Sequence, residues 1–270
     1  MNLSIKSKAE IKTLGEGGRR LAEVLREVSQ AVASGVSAGE IDRLAERLIR
    51  AAGGEPSFKG YNPYGAKTPY PASICVSVND AVVHAIPPKT QIFQDGDVVS
   101  LDIGMWWPGK ELRIKNKELS GVRPMATDMA ITVGVGAISK TAEKLIRVTR
   151  ESLDLGIKEV KAGATIGDIG AAIQAHIENH GFGVVRDLAG HGVGYKVHED
   201  PFVPNFGERG KGLVLKEGMV IAIEPMATEG TWRVRLDPDE WTFRTADGKL
   251  AAHFEHTVVV TKDGHQVITG

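Results

Sequence analysis

Three short segments of this chain occur twice in the same order, and that duplication constrains its fold more than any other feature. Gly35-Val36-Ser37-Ala38-Gly39-Glu40-Ile41 is echoed by Gly163-Ala164-Thr165-Ile166-Gly167-Asp168-Ile169. His84-Ala85-Ile86-Pro87 is echoed by His198-Glu199-Asp200-Pro201, and Gly96-Asp97-Val98-Val99-Ser100-Leu101-Asp102 by Gly218-Met219-Val220-Ile221-Ala222-Ile223-Glu224. Each second copy follows its first by roughly 115 to 130 residues, too long a period for a solenoid repeat. The pattern predicts one domain over residues 1–270, built from two fused α+β halves. These halves, about 8–136 and 137–270, face each other across a shared site.

Periodicity fills in the elements. Over residues 8–33, Ile11, Leu14, Leu21, Val24, Leu25, Val28 and Val32 recur at helical spacing. Ser37 reads as an N-cap whose capping box is completed by Glu40. It opens a helix through Ile41, Leu44, Leu48 and Ile49 that stops near Gly53-Gly54. A loop rich in Pro, Gly and Tyr follows over 56–71, then strand-like runs at 73–78, 97–104 and 127–135. Helices return at 139–161 and 165–180, and strands at 191–198, 219–224, 231–236 and 253–261.

Composition narrows the class. Of 270 residues, 42% are hydrophobic and 25% charged, which is ordinary for a soluble globular protein. A net charge of −1 gives no bulk attraction for nucleic acid or anionic membrane. The basic stretch at 110–117 reads as a solvated hairpin or loop. Cys75 is the single cysteine, which excludes an intrachain disulfide and a cysteine-based zinc finger. The polar start has no signal-peptide core, and no apolar run reaches the ~20 residues of a membrane helix. The expectation is a soluble protein of a reducing compartment. Neither a P-loop nor a dinucleotide fingerprint is present, and no glycine-flanked serine suggests a covalent nucleophile.

The chemistry is concentrated in carboxylates placed where carboxylates are costly. Asp102 follows Val98-Val99-Ser100-Leu101; Asp128 sits within Ala126-Thr127-Asp128-Met129-Ala130-Ile131. Glu224 ends Val220-Ile221-Ala222-Ile223, and Glu255 leads into His256-Thr257-Val258-Val259-Val260. An ionised carboxylate in a buried strand needs a compensating partner, and no Arg or Lys lies in these strands. His191, flanked by Gly190 and Gly192, completes a set of two Asp, two Glu and one His. Oxygen ligands with a single imidazole suit a pair of Mn, Fe, Co or Zn ions. Such a pair, ~3.5–4 Å apart, activates water for hydrolysis.

His84 and His198 are not needed as ligands. The repeat places them on opposite sides of the cleft, where one would donate to a developing oxyanion and the other serve the leaving nitrogen. His176 and His180, four apart at a helix end, read as helix-terminal imidazoles rather than a zinc site. His253 would share a strand face with Glu255, with no role assigned.

These motifs resemble the type I methionine aminopeptidases, in their short bacterial form, from about residue 8 to the C-terminus. The specific parts are Ser77-Val78-Asn79 with His84-Ala85-Ile86-Pro87, and Gly190-His191-Gly192-Val193-Gly194 with His198-Glu199-Asp200-Pro201. Glu224-Pro225-Met226 and Phe254-Glu255-His256-Thr257 complete them. The resemblance implies a pita-bread fold, with two pseudo-two-fold-related halves and a curved antiparallel sheet. It implies removal of the initiator methionine from nascent proteins with two divalent ions. Asp128 and Glu255 would bridge the ions, His191 and Glu224 would complete one shell, and Asp102 would chelate the other. Glu224 would also shuttle the proton; His198 would contact the scissile carbonyl and His84 the amide nitrogen side. Trp241, Tyr70 and Cys75 match positions of the methionine pocket, where an apolar, sulfur-tolerant surface suits a thioether. The family reading further implies a cytoplasmic monomer acting on methionyl nascent chains, at or near the ribosome, with no stable nucleic-acid or membrane partner.

The chain departs from the family pattern in three places. The interval from Asp102 to Asp128 is long, with 106–123 read as an inserted hairpin. The loop 62–69 is extended around Tyr61 and Tyr64, and Val197 stands where an aromatic pocket residue is expected. Two other readings remain open: an Xaa-Pro peptidase of the same fold, whose relatives usually carry a further N-terminal domain, and a non-catalytic partner-binding protein.

Overall fold

The computed structural model describes residues 3–63 and 67–270; Tyr64, Gly65 and Ala66 in the 62–69 loop lie outside them. The first half opens with helices α1 (Lys8–Gln30) and α2 (Ala38–Ala51). Both start at capping boxes, Ser7 with Glu10 and Ser37 with Glu40, each satisfying amide donors that a helix N-terminus leaves free. Strands β1 (Glu55–Pro56), β2 (Ile74–Val78), β3 (Ala81–Val83) and β4 (Val98–Trp107) follow, then helix α3 (Lys110–Lys115) and strand β5 (Met125–Gly134). The second half repeats the plan with α4 (Lys140–Lys158), α5 (Ile166–Asn179), β6 (Gly183–Val184), β7 (Ala189–Gly192), β8 (Glu199–Pro204) and β9 (Val220–Ile223). It closes with β10 (Met226–Thr228), β11 (Val234–Leu236), β12 (Phe243–Thr245), β13 (Ala251–His253), β14 (Glu255–Val260) and β15 (His265–Val267).

The strand order shows the symmetry. The main sheet runs β1-β4-β5-β14-β9-β7-β8, with β2 also on β4 and β15 also on β14, and its pairs are antiparallel. Its central run, β2-β4-β5-β14-β9-β7, maps onto itself when β2 exchanges with β7, β4 with β9 and β5 with β14. The capping motifs agree, since Thr165 and Asp168 form the second half's box on α5. Isolated bridges join Ser37 to Ile92 and Thr165 to Val214 at matching places. Each helix pair buries an apolar stripe against its own part of the sheet: Leu21, Leu25, Val28, Ile41 and Ile49 over Ile74, Leu101 and Ile103 in one core. Leu145, Val148, Ile169 and Ile173 lie over Ile221, Ile223 and Val258 in the other.

At the seam between halves, β5 and β14 share direct backbone register only at Ala130 with Glu255 and Met129 with His256. Threonine hydroxyls take over on either side. Thr257 Oγ1 accepts from the Asp128 amide at 3.0 Å and donates to the Asp128 carbonyl at 2.8 Å. Thr132 Oγ1 does the same for the His253 amide and carbonyl, at 2.9 and 2.7 Å.

Several expected elements are corrected. Residues 110–117 are not a hairpin or open loop: β4 continues to Trp107, pairs with Met125, and α3 plus one 3₁₀ turn (Lys117–Leu119) crosses between the strands. Leu112 anchors that crossing by packing on the first core. The run at 191–198 leaves the sheet after Gly192, and the chain re-enters only at Glu199. The run at 253–261 breaks at Phe254, so β13 joins β10 in a three-stranded sheet while β14 joins the main one. Among the described residues no helix is long and apolar enough to cross a membrane.

Candidate metal centre and substrate pocket

The ten nominated site residues meet in one cavity of about 360 Å³. Asp102, Asp128, His191, Glu224 and Glu255 line it together with His84, His198, Tyr70, Cys75 and Trp241. Asp102 comes from the middle of β4, opposite Cys75 on β2, and Asp128 from β5. Glu255 begins β14 beside the seam, while Glu224 follows β9. Ligand atoms of Asp128, His191 and Glu255 lie within 4.8 Å of one another, and all three residues are buried. Glu224 Oε1 lies 3.5 Å from His191 Nε2.

This donor set fits divalent cations. Asp102 Oδ1, Asp128 Oδ1 and Glu255 Oε1 are buried with no hydrogen-bond partner among the described residues, a costly arrangement for ionised oxygens unless a cation compensates. His191 Nδ1 lies 2.9 Å from the Gly192 carbonyl oxygen. A carbonyl only accepts, so Nδ1 carries the proton and Nε2 keeps a lone pair, as a metal-ligating imidazole needs. Burial also holds His191 well below the usual histidine range and therefore neutral.

The same burial pushes the carboxyls up. Desolvation raises Glu224 to about 8. Desolvation, with the neighbouring Glu224 charge, raises Asp102 to about 7 against the opposing pull of His253. Asp128 and Glu255 are raised further by burial and by the other acids. Desolvation is the first cause in every case, and the neighbouring acids add to it for Asp102, Asp128 and Glu255.

A sign follows for the metal-free protein. Groups with raised pKa keep protons the unfolded chain has released, so their stabilisation is present at low pH and lost as pH rises through about 7 and about 8. The buried histidines act oppositely, with His84 lowered by desolvation to about 3 and His198 and His253 to about 4. Their effect ends near the unfolded histidine value of about 6.5. Between pH 6.5 and 8 the carboxyls therefore act unopposed. Chelator-stripped protein should lose about 1.4 kcal/mol of stability per pH unit for each retained proton. Thermal unfolding at the two pH values measures this, and a flat or rising profile would contradict the assignment of buried, coupled acids.

Beside the acids lies an apolar wall. Phe58, Tyr70, Ala72, Cys75 and Val197 form a buried cluster, with Tyr61, Ile86 and Trp241 packed on it. Tyr70 and Trp241 meet edge to face at 5.1 Å, and Tyr70 donates to the Ala85 carbonyl at 2.9 Å. Burial and the Asp102 charge raise the Cys75 thiol well above its usual range, so it is an uncharged wall atom. Val197 is part of this wall, and Phe58 and Tyr61 supply aromatic rings from a different loop.

The two loop histidines line the same cavity. His84 adopts a left-handed backbone (φ 58°) directly after β3 and packs 6.0 Å from the Phe243 ring. His198 packs edge-on against His191 at 4.2 Å, and its Nδ1 shares a 2.6 Å hydrogen bond with Tyr61 Oη. His176 and His180 are elsewhere, His176 bonded to Glu151 at 3.0 Å on the helix surface.

Three residues at the site had no assigned role in the sequence. His253 Nε2 lies 3.5 Å from Glu224 Oε2, and neither ring nitrogen has a hydrogen-bond partner among the described residues. Phe243 and Phe58 line the cavity. A signal for Phe58 did exist in Gly104, two residues beyond Asp102. A Cβ there would come within 2.1 Å of Ser57 Oγ and 2.8 Å of the Phe58 ring, so the glycine makes room for both residues.

Known proteins resemble this chain over nearly its whole length. A sequence model of metallopeptidase family M24 matches residues 12–110 and 120–262. Methionine aminopeptidase from Clostridium perfringens is 44% identical over 265 residues, covering 98% of each chain. The chain belongs to the methionine aminopeptidases of metallopeptidase family M24. Methionine aminopeptidase 1 of Bacillus subtilis is 42% identical over 98% of each chain. The crystal structure of methionine aminopeptidase from Thermotoga maritima superimposes with a TM-score of 0.89 at 40% identity, covering 99% of both chains. Prolidase from Pyrococcus furiosus shares the fold at a TM-score of 0.72 and 21% identity, with 65% of its chain covered. The pita-bread, α+β architecture is thus that of the family. The gap in the family match, 111–119, falls on α3 and the 3₁₀ turn.

Proposed function

We propose that this chain hydrolyses the first peptide bond of polypeptides that begin with methionine. The observation that carries the proposal is the adjacency, in one cavity, of a five-residue acid-and-imidazole set and an apolar wall closed by Phe58, Tyr70, Cys75 and Trp241. Asp102, Asp128, His191, Glu224 and Glu255 would hold two divalent ions, with Mn, Fe, Co and Zn all compatible with this shell. When bound, such ions supply Lewis-acid polarisation and lower the pKa of water.

The rest is done by side chains. Glu224, 3.5 Å from His191 Nε2, would take a proton from the attacking water as its carboxylate and return it to the leaving nitrogen. His84 and His198 are neutral at pH 7, since burial lowers both, and so serve as N–H donors. In the tautomer in which Tyr61 Oη, 2.6 Å away, donates to His198 Nδ1, the His198 proton resides on Nε2, where it would meet the scissile carbonyl oxygen. His84, across the cavity, serves the amide nitrogen side. The reading treats residues 8–136 and 137–270 as two arms of one catalytic domain. It extends to a cytoplasmic monomer that meets its substrates on nascent chains.

The direct test is methionine release from a Met-Ala-Ser peptide by stripped protein before and after adding Mn or Co, with Ala-Pro-Ala alongside. Metal-restored cleavage of the methionyl peptide alone supports the proposal. Cleavage only before proline moves the protein to the Xaa-Pro branch, and metal binding without cleavage favours a partner-binding role. Trp241→Ala should raise KM for methionyl peptides by about tenfold to a hundredfold, leaving metal content unchanged. A drop in bound metal instead would remove Trp241 from the pocket.

A further inference from the structure

The segment preceding α1 is tied to the loop that carries His198, through a buried ion pair with no assigned role. Lys6 Nζ lies 2.7 Å from Glu199 Oε2, and the two side chains are 0% and 7% exposed. Ser4 Oγ donates to the same oxygen. The other oxygen, Glu199 Oε1, accepts from the Tyr195 amide and from the Lys196 amide at 3.0 Å. One carboxylate thus closes the loop 195–199 on itself and fastens it to the chain's N-terminal segment. His198 is the residue immediately before it.

Lys6 is itself fixed. Its amide donates to the Gly218 carbonyl at 2.8 Å, in the turn that leads into β9 and Glu224. Its ammonium sits 4.6 Å from the centre of the Tyr195 ring, which Arg123 also contacts at 4.1 Å. Gly194 leaves the passage open: at φ 135° it has no side chain, and a Cβ would come within 2.7 Å of Lys6 Cε. Ser7 then starts α1 by its capping box. An element of the first half is thereby bolted onto a loop and a turn of the second.

Burying an ion pair this thoroughly gives little net stability, because desolvation offsets most of the attraction. Burial lowers the Lys6 pKa against the hydrogen bond and charge of Glu199. For Glu199, burial is outweighed by the donors from Lys6, Ser4 and the loop, and its pKa falls. Such a pair does fix geometry, and the loop it fixes holds an imidazole that must meet substrate to within a fraction of an ångström.

We propose that Lys6 and Glu199 are positioning residues that hold the 195–199 loop so that His198 meets the scissile bond. This rests on the catalytic reading of His198, and a double-mutant cycle separates the two. Lys6→Met keeps the stem and removes the charge. On a methionyl peptide it should lower kcat by about tenfold or more, with little change in KM or metal content. Lys6→Arg should recover most of the loss. In a His198→Ala background, Lys6→Met should have almost no further effect, since residues acting through one group are not additive.

Losses that multiply independently, or an unchanged kcat measured well below a lowered Tm, would overturn the proposal and reduce the pair to a structural clasp. If His198→Ala alone retains full activity, the catalytic reading of His198 fails, and this inference with it. Should Lys6→Met fail to fold, Lys6→Gln with Glu199→Gln leaves no unpaired buried charge and carries the same cycle.

Discussion

Glu224→Gln is expected to lower kcat on methionyl peptides by about three orders of magnitude while the protein stays folded. The substitution preserves size and removes only the capacity to hold and release a proton. In the parent, Glu224 sits between two neutral imidazoles, 3.5 Å from both His191 Nε2 and His253 Nε2, and its backbone carbonyl is held by Asn205 Nδ2 at 2.9 Å. Its carboxylate can take a proton and return it, as general acid–base catalysis needs. An amide cannot do this at any pH. Because Glu224 also belongs to the ligand set, the assay is run at saturating metal with bound metal measured alongside. A fully loaded variant with near-normal kcat would take Glu224 out of the proton transfer.

Asp128→Asn should have two opposite effects in one protein. Metal affinity should fall by more than the roughly 10–100-fold that loss of an outer-shell partner costs, since Asp128 supplies an oxygen within 4.8 Å of both His191 and Glu255 ligand atoms. The stripped variant should nevertheless unfold above the stripped parent at pH 8, by roughly 3–6 °C, because one fewer buried acid has to keep a proton that the unfolded chain releases. Metal content after dialysis and paired melting curves read both effects. A variant that keeps its metal and melts lower than the parent would make Asp128 a structural carboxylate. Function and stability are opposed at such a site, as they are where charge is buried for catalysis.

The parts of this molecule legible in the sequence are those that local chemistry dictates. Ser37 with Glu40 and Thr165 with Asp168 announce helix starts because the box needs only residues three apart. Asp102, Asp128, Glu224 and Glu255 stand out because an acid in an apolar strand has no inexpensive structural explanation. Helix α3 escaped notice because six residues, none buried, offer too little apolar periodicity to separate a helix from a loop. The strands β3, β10 and β12 are three residues each, shorter than any alternation can register.

The site residues missed have a different cause. His253 and Glu255 are two apart, yet the break at Phe254 sends them into separate sheets, and His253 reaches Glu224 only because of that break. Phe58 enters the cavity because Gly104, on a neighbouring element, lacks a side chain. Lys6 and Glu199 are 193 positions apart, and nothing local distinguishes that lysine from the thirty-two other basic residues.

The sequence by itself determined the duplicated plan, the approximate bounds of the four long helices and the identity of the acids and imidazoles, because each depends on spacing within a few residues or on a direct internal match. Only the tertiary structure decided how these groups face one another. The two halves meet along β5 and β14, threonine hydroxyls replace the ladder beside Asp128 and His253, and the closing of the cavity depends on side chains brought together from loops far apart in the chain. Those distances are fixed by packing, which is a property of the whole fold and is written in no single stretch of it.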